Sequence, residues 1–299
     1  MDMIARLQKF LAIALALSVI AWAAAFVAIG RPLCASVGAL LILTGYALLL
    51  GAEFVILYFV QHADVAPRPA LHQLLSAWWN EVVIAPRVFL WRQPFRSNVE
   101  PDSLPDRPDG RRGVLLVHGL VCNRGLWNPW MRALRARRIP FLAINLEPIF
   151  GSIDAYVDHI EAAVARIEIA TGLPVVLVGH SMGGVAIRAW FARSKAAARV
   201  HRVITIGSPH RGTWLARYGH TVNGREMRLQ SPWLTKLAAT EPAGHFAQFT
   251  CFFGHCDNIV FPAASGTLPG ATNVHVPATA HVQMAFEPQV FDETCRWLL

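Results

Sequence analysis

Charged side chains are scarce in this sequence. Asp, Glu, Lys and Arg together make up 15% of its 299 residues, whereas 54% of the residues are hydrophobic. That balance is too apolar for an ordinary soluble enzyme, and the shortage of charge is concentrated at the front of the chain. Residues 10–29 and 33–52 contain no charged side chain at all. The amino-terminal part is therefore predicted to associate with a membrane.

The cysteines exclude two further classes of protein. There are five, an odd number that is not a complete disulfide framework, and their spacing matches no zinc-binding pattern. Free buried thiols are expected in a cytoplasmic domain, while Cys251 and Cys256 are close enough in sequence to pair if the domain is exported. No calcium or zinc constellation, internal repeat or low-complexity tract occurs. We predict no metal and no organic cofactor.

The net charge of +8 does not indicate a nucleic-acid partner. The arginines of the chain are scattered, apart from a small cluster in residues 132–138. No motif in which basic and aromatic residues alternate, as in nucleic-acid-binding modules, accompanies them. Attraction to the anionic headgroups of a lipid bilayer explains the charge better.

The two uncharged runs predict a pair of membrane-spanning helices in residues 1–62. Twenty helical residues extend over about 30 Å, the thickness of the hydrocarbon core. Gly30, Arg31 and Pro32 would form the turn between them, and Glu53 would lie at the interface without a chemical role. A cleaved signal peptide is the alternative for the first run, because Arg6 and Lys9 precede it and small residues follow. The basic residues favour a cytoplasmic catalytic region by only a few charges, which leaves the orientation open.

Residues 63–110 are predicted to connect this anchor to the catalytic domain. Leucines and tryptophans recur at helical spacing in residues 71–91, which indicates an amphipathic helix. The helix lies either on the membrane surface or against the globular domain. Four prolines in residues 94–110 are typical of a linker, so the domain boundary is placed near Arg111.

From Arg111 onward, strand-like and helix-like patterns alternate. Such alternation predicts an α/β fold in which helices flank a mostly parallel sheet. About six strands are expected, and a final helix is expected over residues 282–298. The strands are placed at residues 113–117, 140–145, 175–178, 202–206, 246–253 and 273–276.

The clearest chemical motif follows the third of these strands. Gly179, His180, Ser181, Met182 and Gly183 stand between the apolar run and a helical pattern. This is the layout of a nucleophile elbow, in which a sharp strand-to-helix turn exposes a serine hydroxyl. The flanking glycines avoid collisions with the neighbouring strand and helix. Ser181 is the predicted nucleophile.

Three motifs in this order resemble the α/β-hydrolase superfamily. They are His118-Gly119 after the first strand, the elbow itself, and the Ser208-Pro209-His210-Arg211-Gly212-Thr213 segment after the next strand. More narrowly, residues 227–234 are similar to a segment of bacterial triacylglycerol lipases and esterases. The resemblance covers residues 113–299, and it implies a bacterial protein, which the two spans would hold in the inner membrane.

The resemblance also implies the partners of Ser181. In this fold the chain order is Ser, then an acid, then His, and Asp257 and His281 occupy the matching positions. His281 would act as the base and Asp257 would orient it. Of the competing histidines, His255 is too close to Asp257 in sequence, and His275 lies within a strand. A third, His210, belongs to a segment that is usually supporting.

Further site residues are expected to stabilise the negatively charged oxygen of the tetrahedral intermediate. The backbone N–H of Met182 is one expected donor, and the resemblance implies Leu120 as the second. His118, Gly119, Gly179, His180 and Gly183 would support the site.

The stretch at residues 214–242 is long for a connection and partly apolar, so it is expected to form a cap or a packed insertion.

Together these observations predict a membrane-anchored serine hydrolase that cleaves carboxylic esters, most simply lipid-derived ones, through an acyl-enzyme on Ser181. The same residues would also serve acyl transfer, or thioester or amide cleavage. A non-catalytic membrane scaffold with a hydrolase-like fold is the rival from another class. A transporter component has only the two spans in its favour. Oligomeric state, ester identity and acyl length are not determined by the sequence.

Overall fold

The computed structural model describes residues 3–194, 196–241 and 244–298. Within these residues a parallel sheet of six strands forms the centre of the catalytic domain, in the order β2-β1-β3-β4-β5-β6. This confirms the predicted fold class. The strands are β1 Val114–Val117, β2 Phe141–Ile144, β3 Val175–His180, β4 Val200–Ile206, β5 Phe249–Phe253 and β6 Thr272–His275.

Helices cover both faces of the sheet, which explains why β1 and the start of β3 are apolar without alternation. The flanking helices are α5 Asn128–Ala136, α6 Val157–Thr171, α7 Met182–Arg193, α10 His281–Met284 and α11 Pro288–Arg296. Helices α6 and α7 pack against one face through residues such as Ile160 and Val185. On the other face, α5, α10 and α11 contribute Met131, Met284 and Val290.

The single final helix predicted over residues 282–298 is wrong. The chain forms two helices there, α10 and α11, separated by a break before Pro288. Proline lacks an N–H and restricts the residue before it, so it begins a helix more readily than it continues one. The break leaves His281 as the first residue of a short separate helix at the sheet edge.

The amino-terminal region contains two helices long and apolar enough to cross a membrane, α1 Met3–Ala28 and α2 Pro32–Val60. Length and composition alone define them as candidate spans, and a signal sequence would meet the same criteria. The two helices pack side by side. A Cβ at Gly38 would lie only 1.9 Å from the Trp22 indole nitrogen, so the glycine makes room for that ring.

The next segment forms helix α3 Leu71–Pro86, a π-helical turn Arg87–Arg92 and helix α4 Gln93–Arg96. One side of α3 packs against the catalytic domain, where Leu74 and Ala77 join a cluster with Phe261 and Ala280. Its other side leaves Leu75 and Trp79 exposed. The segment thus combines a packed face with an apolar outer face.

Residues 214–241 form the described part of the predicted cap, and Pro242 lies outside the described residues. A 3₁₀ turn Trp214–Tyr218 is followed by helices α8 Val222–Glu226 and α9 Pro232–Ala239. Glu226 accepts hydrogen bonds from the Ser152 hydroxyl and the Ile153 amide. Trp214 stacks on Phe261 of the loop after β5. The insertion is therefore docked at two places on the domain.

Candidate active site

Ser181 lies in a strained turn between β3 and α7. Its backbone has φ 55° and ψ −128°, a region that residues other than glycine rarely adopt. A Cβ at Gly179 would come within 2.5 Å of the Gly184 nitrogen. At Gly183 it would come within 2.5 Å of the carbonyl oxygens of Val117 and His118. The turn is possible only because both positions lack a side chain.

The loop after β1 closes over the other side of this turn. A Cβ at Gly119 would lie 2.8 Å from the Ser181 Cβ and 3.4 Å from its Oγ. The Ser181 amide donates to the carbonyl of Ile206, the last residue of β4. Within the described residues the Ser181 hydroxyl makes no hydrogen bond, and the side chain is 8% exposed. Catalytic contacts of this kind often tighten only when substrate binds.

Asp257 and His281 meet at the same edge of the sheet. The His281 Nδ1–H donates to both carboxylate oxygens of Asp257, each at 2.9 Å. One of those oxygens also accepts from the amides of Ile259 and Val260, at 2.9 and 2.8 Å. Gly207, directly after β4, faces this pair, since a Cβ there would lie 2.8 Å from the Asp257 Oδ2. The carboxylate is thus fixed by the backbone and in turn fixes the imidazole.

Competing influences act on the pKa of His281. Burial by itself lowers it, but the charge and hydrogen bond of Asp257, together with the charges of Glu81 and Glu53, raise it above its ordinary value. Its neighbour His180 behaves in the opposite way, because burial lowers the pKa of His180 to about 3. The Nε2–H of His180 donates to the His281 carbonyl, and the two ring centroids are 4.7 Å apart. A neutral imidazole therefore supports one that is easily protonated.

The two predicted oxyanion donors are backbone amides next to Ser181 and next to Gly119 in sequence. Met182 is the first residue of α7, where helix N–H groups have no intrahelical partner. Leu120 follows Gly119, whose position beside Ser181 is described above, and its amide donates to no other described residue. His118 braces this loop, because its Nδ1–H donates to the Gly119 carbonyl and its Nε2 accepts from the Leu146 amide.

The competing histidines have partners elsewhere. His210 is buried and hydrogen-bonds Thr205, and burial lowers its pKa well below the ordinary value. His255 and His275 contact each other at 2.7 Å, and His255 also contacts Gln73 of α3.

Sequence reasoning gave no role to three residues that support the His281 segment, two by direct contact and one through Asn258. Asn258 accepts a hydrogen bond from the His281 amide. Glu53 of α2 accepts from the Asn258 side chain, and Glu81 of α3 accepts from the two amides after His281. A signal was present, because Glu53 and Glu81 are the only acids in residues 3–63 and 71–99 respectively. Buried carboxylates in apolar surroundings require specific partners.

Metal ligands do not gather in the described part of the chain, where no group of three or more His, Cys, Asp or Glu side chains could hold an ion. All five cysteines lie in this part and are unpaired, including the buried Cys251 and Cys256.

Residues 114–289 match the alpha/beta hydrolase family. The match spans more than half of the chain, which therefore belongs to that family, as the sequence predicted. A search of curated proteins found no significant match.

Solved structures of lipases share the fold. Bacillus licheniformis lipase BlEst2 in its mature form is 19% identical over 65% of this chain and 95% of that one, with a TM-score of 0.56. Aspergillus fumigatus lipase B is 18% identical over 64% of this chain and 53% of that one, also with a TM-score of 0.56. The fold of residues around the site is thus that of known hydrolases.

Proposed function

We propose that the protein is a serine hydrolase that cleaves carboxylic esters and is held in a membrane by its amino-terminal helices. The observation that carries the proposal is the Asp257–His281 hydrogen bond at the sheet edge that also bears Ser181 on a strained elbow. To attack at neutral pH, a serine hydroxyl needs a base that accepts its proton and an acid that orients this base.

In the proposed mechanism the Ser181 hydroxyl attacks the ester carbonyl and passes its proton to the Nε2 of His281. Asp257 holds the imidazole with its proton on Nδ1, which leaves Nε2 free to accept. The N–H groups of Leu120 and Met182 stabilise the negative oxygen. His281 then gives this proton to the leaving alkoxide, which departs as the alcohol. A water molecule attacks the acyl carbon while His281 takes its proton, and His281 returns that proton to the Ser181 oxygen as the acid is released.

An apolar groove in the amino-terminal region supports a lipid-like substrate. A groove of about 780 Å³ runs between α2 and α3 and is lined by Phe54, Leu74 and Trp78 among other apolar residues. Phe54 and Leu74 belong to the cluster that contains Phe261, and Trp78 packs against it. Phe261 lies in the same loop as Asp257, after β5. An acyl chain that leaves the bilayer along this groove would reach the loop that carries the acid.

Hydrolysis of a series of p-nitrophenyl esters by the detergent-purified full chain tests the activity. We expect turnover that increases with acyl length and falls by about 10⁴-fold or more in Ser181→Ala and in His281→Ala. Ser194→Ala, at the far end of α7, is the matched control and should remain active. A folded wild type without turnover, or an active Ser181→Ala, would contradict the proposal.

Membrane attachment is tested separately. The full chain should remain in the membrane pellet after alkaline carbonate extraction, and intact-mass measurement should find the first helix uncleaved. Release by carbonate, or a mature protein that begins after residue 25, would refute the two-helix anchor and favour a signal peptide.

A further inference from the structure

Two carboxylates from the amino-terminal helices reach the segment that carries His281. Both lie outside residues 114–289, the part that matches the hydrolase family. Glu81 of α3 is 2% exposed, and its oxygens accept from the amides of Val282 at 2.9 Å and Gln283 at 3.0 Å. These are the two amides that directly follow His281, so the carboxylate fixes the direction in which the chain leaves that residue.

Glu53 of α2 acts on the same segment through Asn258. Its Oε2 accepts from the Asn258 side-chain nitrogen at 2.6 Å. The other end of that amide, Oδ1, accepts from the His281 backbone N–H at 3.1 Å. Asn258 is 1% exposed, and the Glu53 contact dictates which way its amide group faces. An ionised carboxylate only accepts hydrogen bonds, so Glu53 favours the orientation in which the Asn258 nitrogen faces Glu53 and its oxygen faces His281.

His281 is therefore held through its backbone amide, its carbonyl and its ring. Asn258 binds its amide, His180 binds its carbonyl and Asp257 binds its ring. Glu81 binds the following turn. A small rotation of the peptide at residue 281 would move the ring nitrogen Nε2 further than the backbone atoms, because Nε2 lies at the far end of the side chain. The position of the base thus depends on contacts that begin in the membrane-associated helices.

We propose that Glu81 and Glu53 are positioning residues for His281, through which the amino-terminal helices form part of the active site. The proposal rests on the proposed function. It implies that the helices do more than attach the enzyme to a membrane, since they complete the support of its base.

The pKa of His281 provides a second, independent readout of the same contacts, because it depends on the charges of the neighbouring carboxylates. The charged or titratable groups that face His281 are Asp257 on the loop after β5, Glu81 on α3, Glu53 on α2 and His180 at the end of β3. The three acids raise the pKa of His281, whereas His180 is neutral. Burial raises the pKa of Glu81 itself to about 7, so its negative charge is fully present only above that pH. Removal of this charge should lower the pKa of His281.

The test compares Glu81→Gln and Glu53→Gln with the wild type in the detergent-purified full chain. Glutamine is nearly isosteric, but its NH₂ group cannot accept the second amide hydrogen bond that Glu81 accepts. We expect kcat to fall by about 10- to 100-fold in Glu81→Gln, with KM within about 2-fold, because misplacement of a base affects the chemical step more than binding. Glu53→Gln should show the same split through Asn258, with a smaller loss.

Glu287→Gln is the matched control. Glu287 accepts a hydrogen bond from the Gln283 side chain and so lies in the same region, without contacting the His281 peptide. It should leave both kcat and the pH profile unchanged. If Glu81→Gln and Glu53→Gln are folded and retain the wild-type kcat, the proposal is overturned. If one of them fails to fold, the other provides the decision.

A readout without turnover separates this proposal from the proposed function. ¹⁵N NMR of histidine-labelled full chain, with the His281 signal assigned by its loss in His281→Gln, follows the imidazole titration directly. A lower His281 pKa in Glu81→Gln, but not in Glu287→Gln, supports the positioning contacts even if the wild type hydrolyses no ester. An unchanged titration in an otherwise active enzyme would overturn the positioning role and leave the hydrolase proposal intact.

Discussion

Replacement of Asp257 by asparagine should inactivate the enzyme while it leaves the fold intact. In the wild type one carboxylate oxygen accepts from the amides of Ile259 and Val260, and both oxygens accept from the His281 Nδ1–H. The asparagine oxygen can keep the two backbone hydrogen bonds. Its NH₂ group then faces His281 and donates to Nδ1, which moves the imidazole proton to Nε2. A base that carries a proton on Nε2 cannot accept one from Ser181.

The expected loss is large because it removes the reactive tautomer rather than one hydrogen bond. A change of this kind in a Ser-His-Asp triad costs about 10⁴-fold in kcat. Each factor of ten corresponds to about 1.36 kcal/mol, so the barrier should rise by about 5.4 kcal/mol. The loss should appear in kcat more than in KM, since Asp257 is buried and acts through His281.

Steady-state hydrolysis of the best p-nitrophenyl ester measures this effect, with thermal unfolding as the check on folding. Asp158→Asn is the matched control, because Asp158 is exposed on α6 and the same chemical change there should be neutral. The reasoning is refuted if folded Asp257→Asn retains more than about a tenth of the wild-type kcat. A variant that loses activity only because it unfolds would show a markedly lower melting temperature.

Three further predictions follow from charge and packing. The acids around His281 raise its pKa, and only the neutral imidazole can act as base. We therefore expect kcat/KM to rise with pH through an apparent pKa above about 6.5. A midpoint at or below that value in a pH-rate profile would disprove the assignment of His281 as the base. Gly183→Ala should lower the free energy of unfolding by about 1–3 kcal/mol or more in denaturant titrations, because its Cβ would lie 2.5 Å from the His118 carbonyl oxygen; an unchanged stability would show that the elbow can relax. Arg188 and Glu241 form a buried ion pair with a 2.7 Å contact, so Arg188→Met alone should destabilise the protein by about 3–5 kcal/mol. The double variant with Glu241→Met should be more stable than the single one, and equal melting temperatures would argue against an uncompensated charge.

Local patterns were sufficient to predict the sheet and the elbow. The uninterrupted apolar runs at β1 and at the start of β3 predict strands, because a strand covered by helices on both faces is apolar along its length. The glycines around Ser181 predict a tight turn because their requirement is steric and involves atoms only a few residues away. The break before Pro288 was a local signal as well, and the predicted helix over residues 282–298 was wrong because that proline was overlooked.

Contacts between distant parts of the chain could not be predicted in the same way. Glu81 and Val282 are separated by 201 residues, and Glu53 and Asn258 by 205. An acid in an apolar helix has no preferred partner until packing places a donor beside it. Sequence reasoning therefore assigned no chemistry to Glu53 and did not consider Glu81 at all.

The amino-acid sequence by itself determined the hydrolase fold, the elbow and the apolar character of the first 60 residues, because each depends on periodicity or on steric demands between near neighbours. Only the tertiary structure decided that α2 and α3 contact the edge of the sheet that carries the candidate site. That arrangement depends on how separate apolar surfaces, such as those of Phe54, Leu74 and Phe261, fit together. Burial in that shared cluster then makes the hydrogen bonds of Glu81 and Glu53 necessary, because a carboxylate removed from water must find donors where the fold provides them.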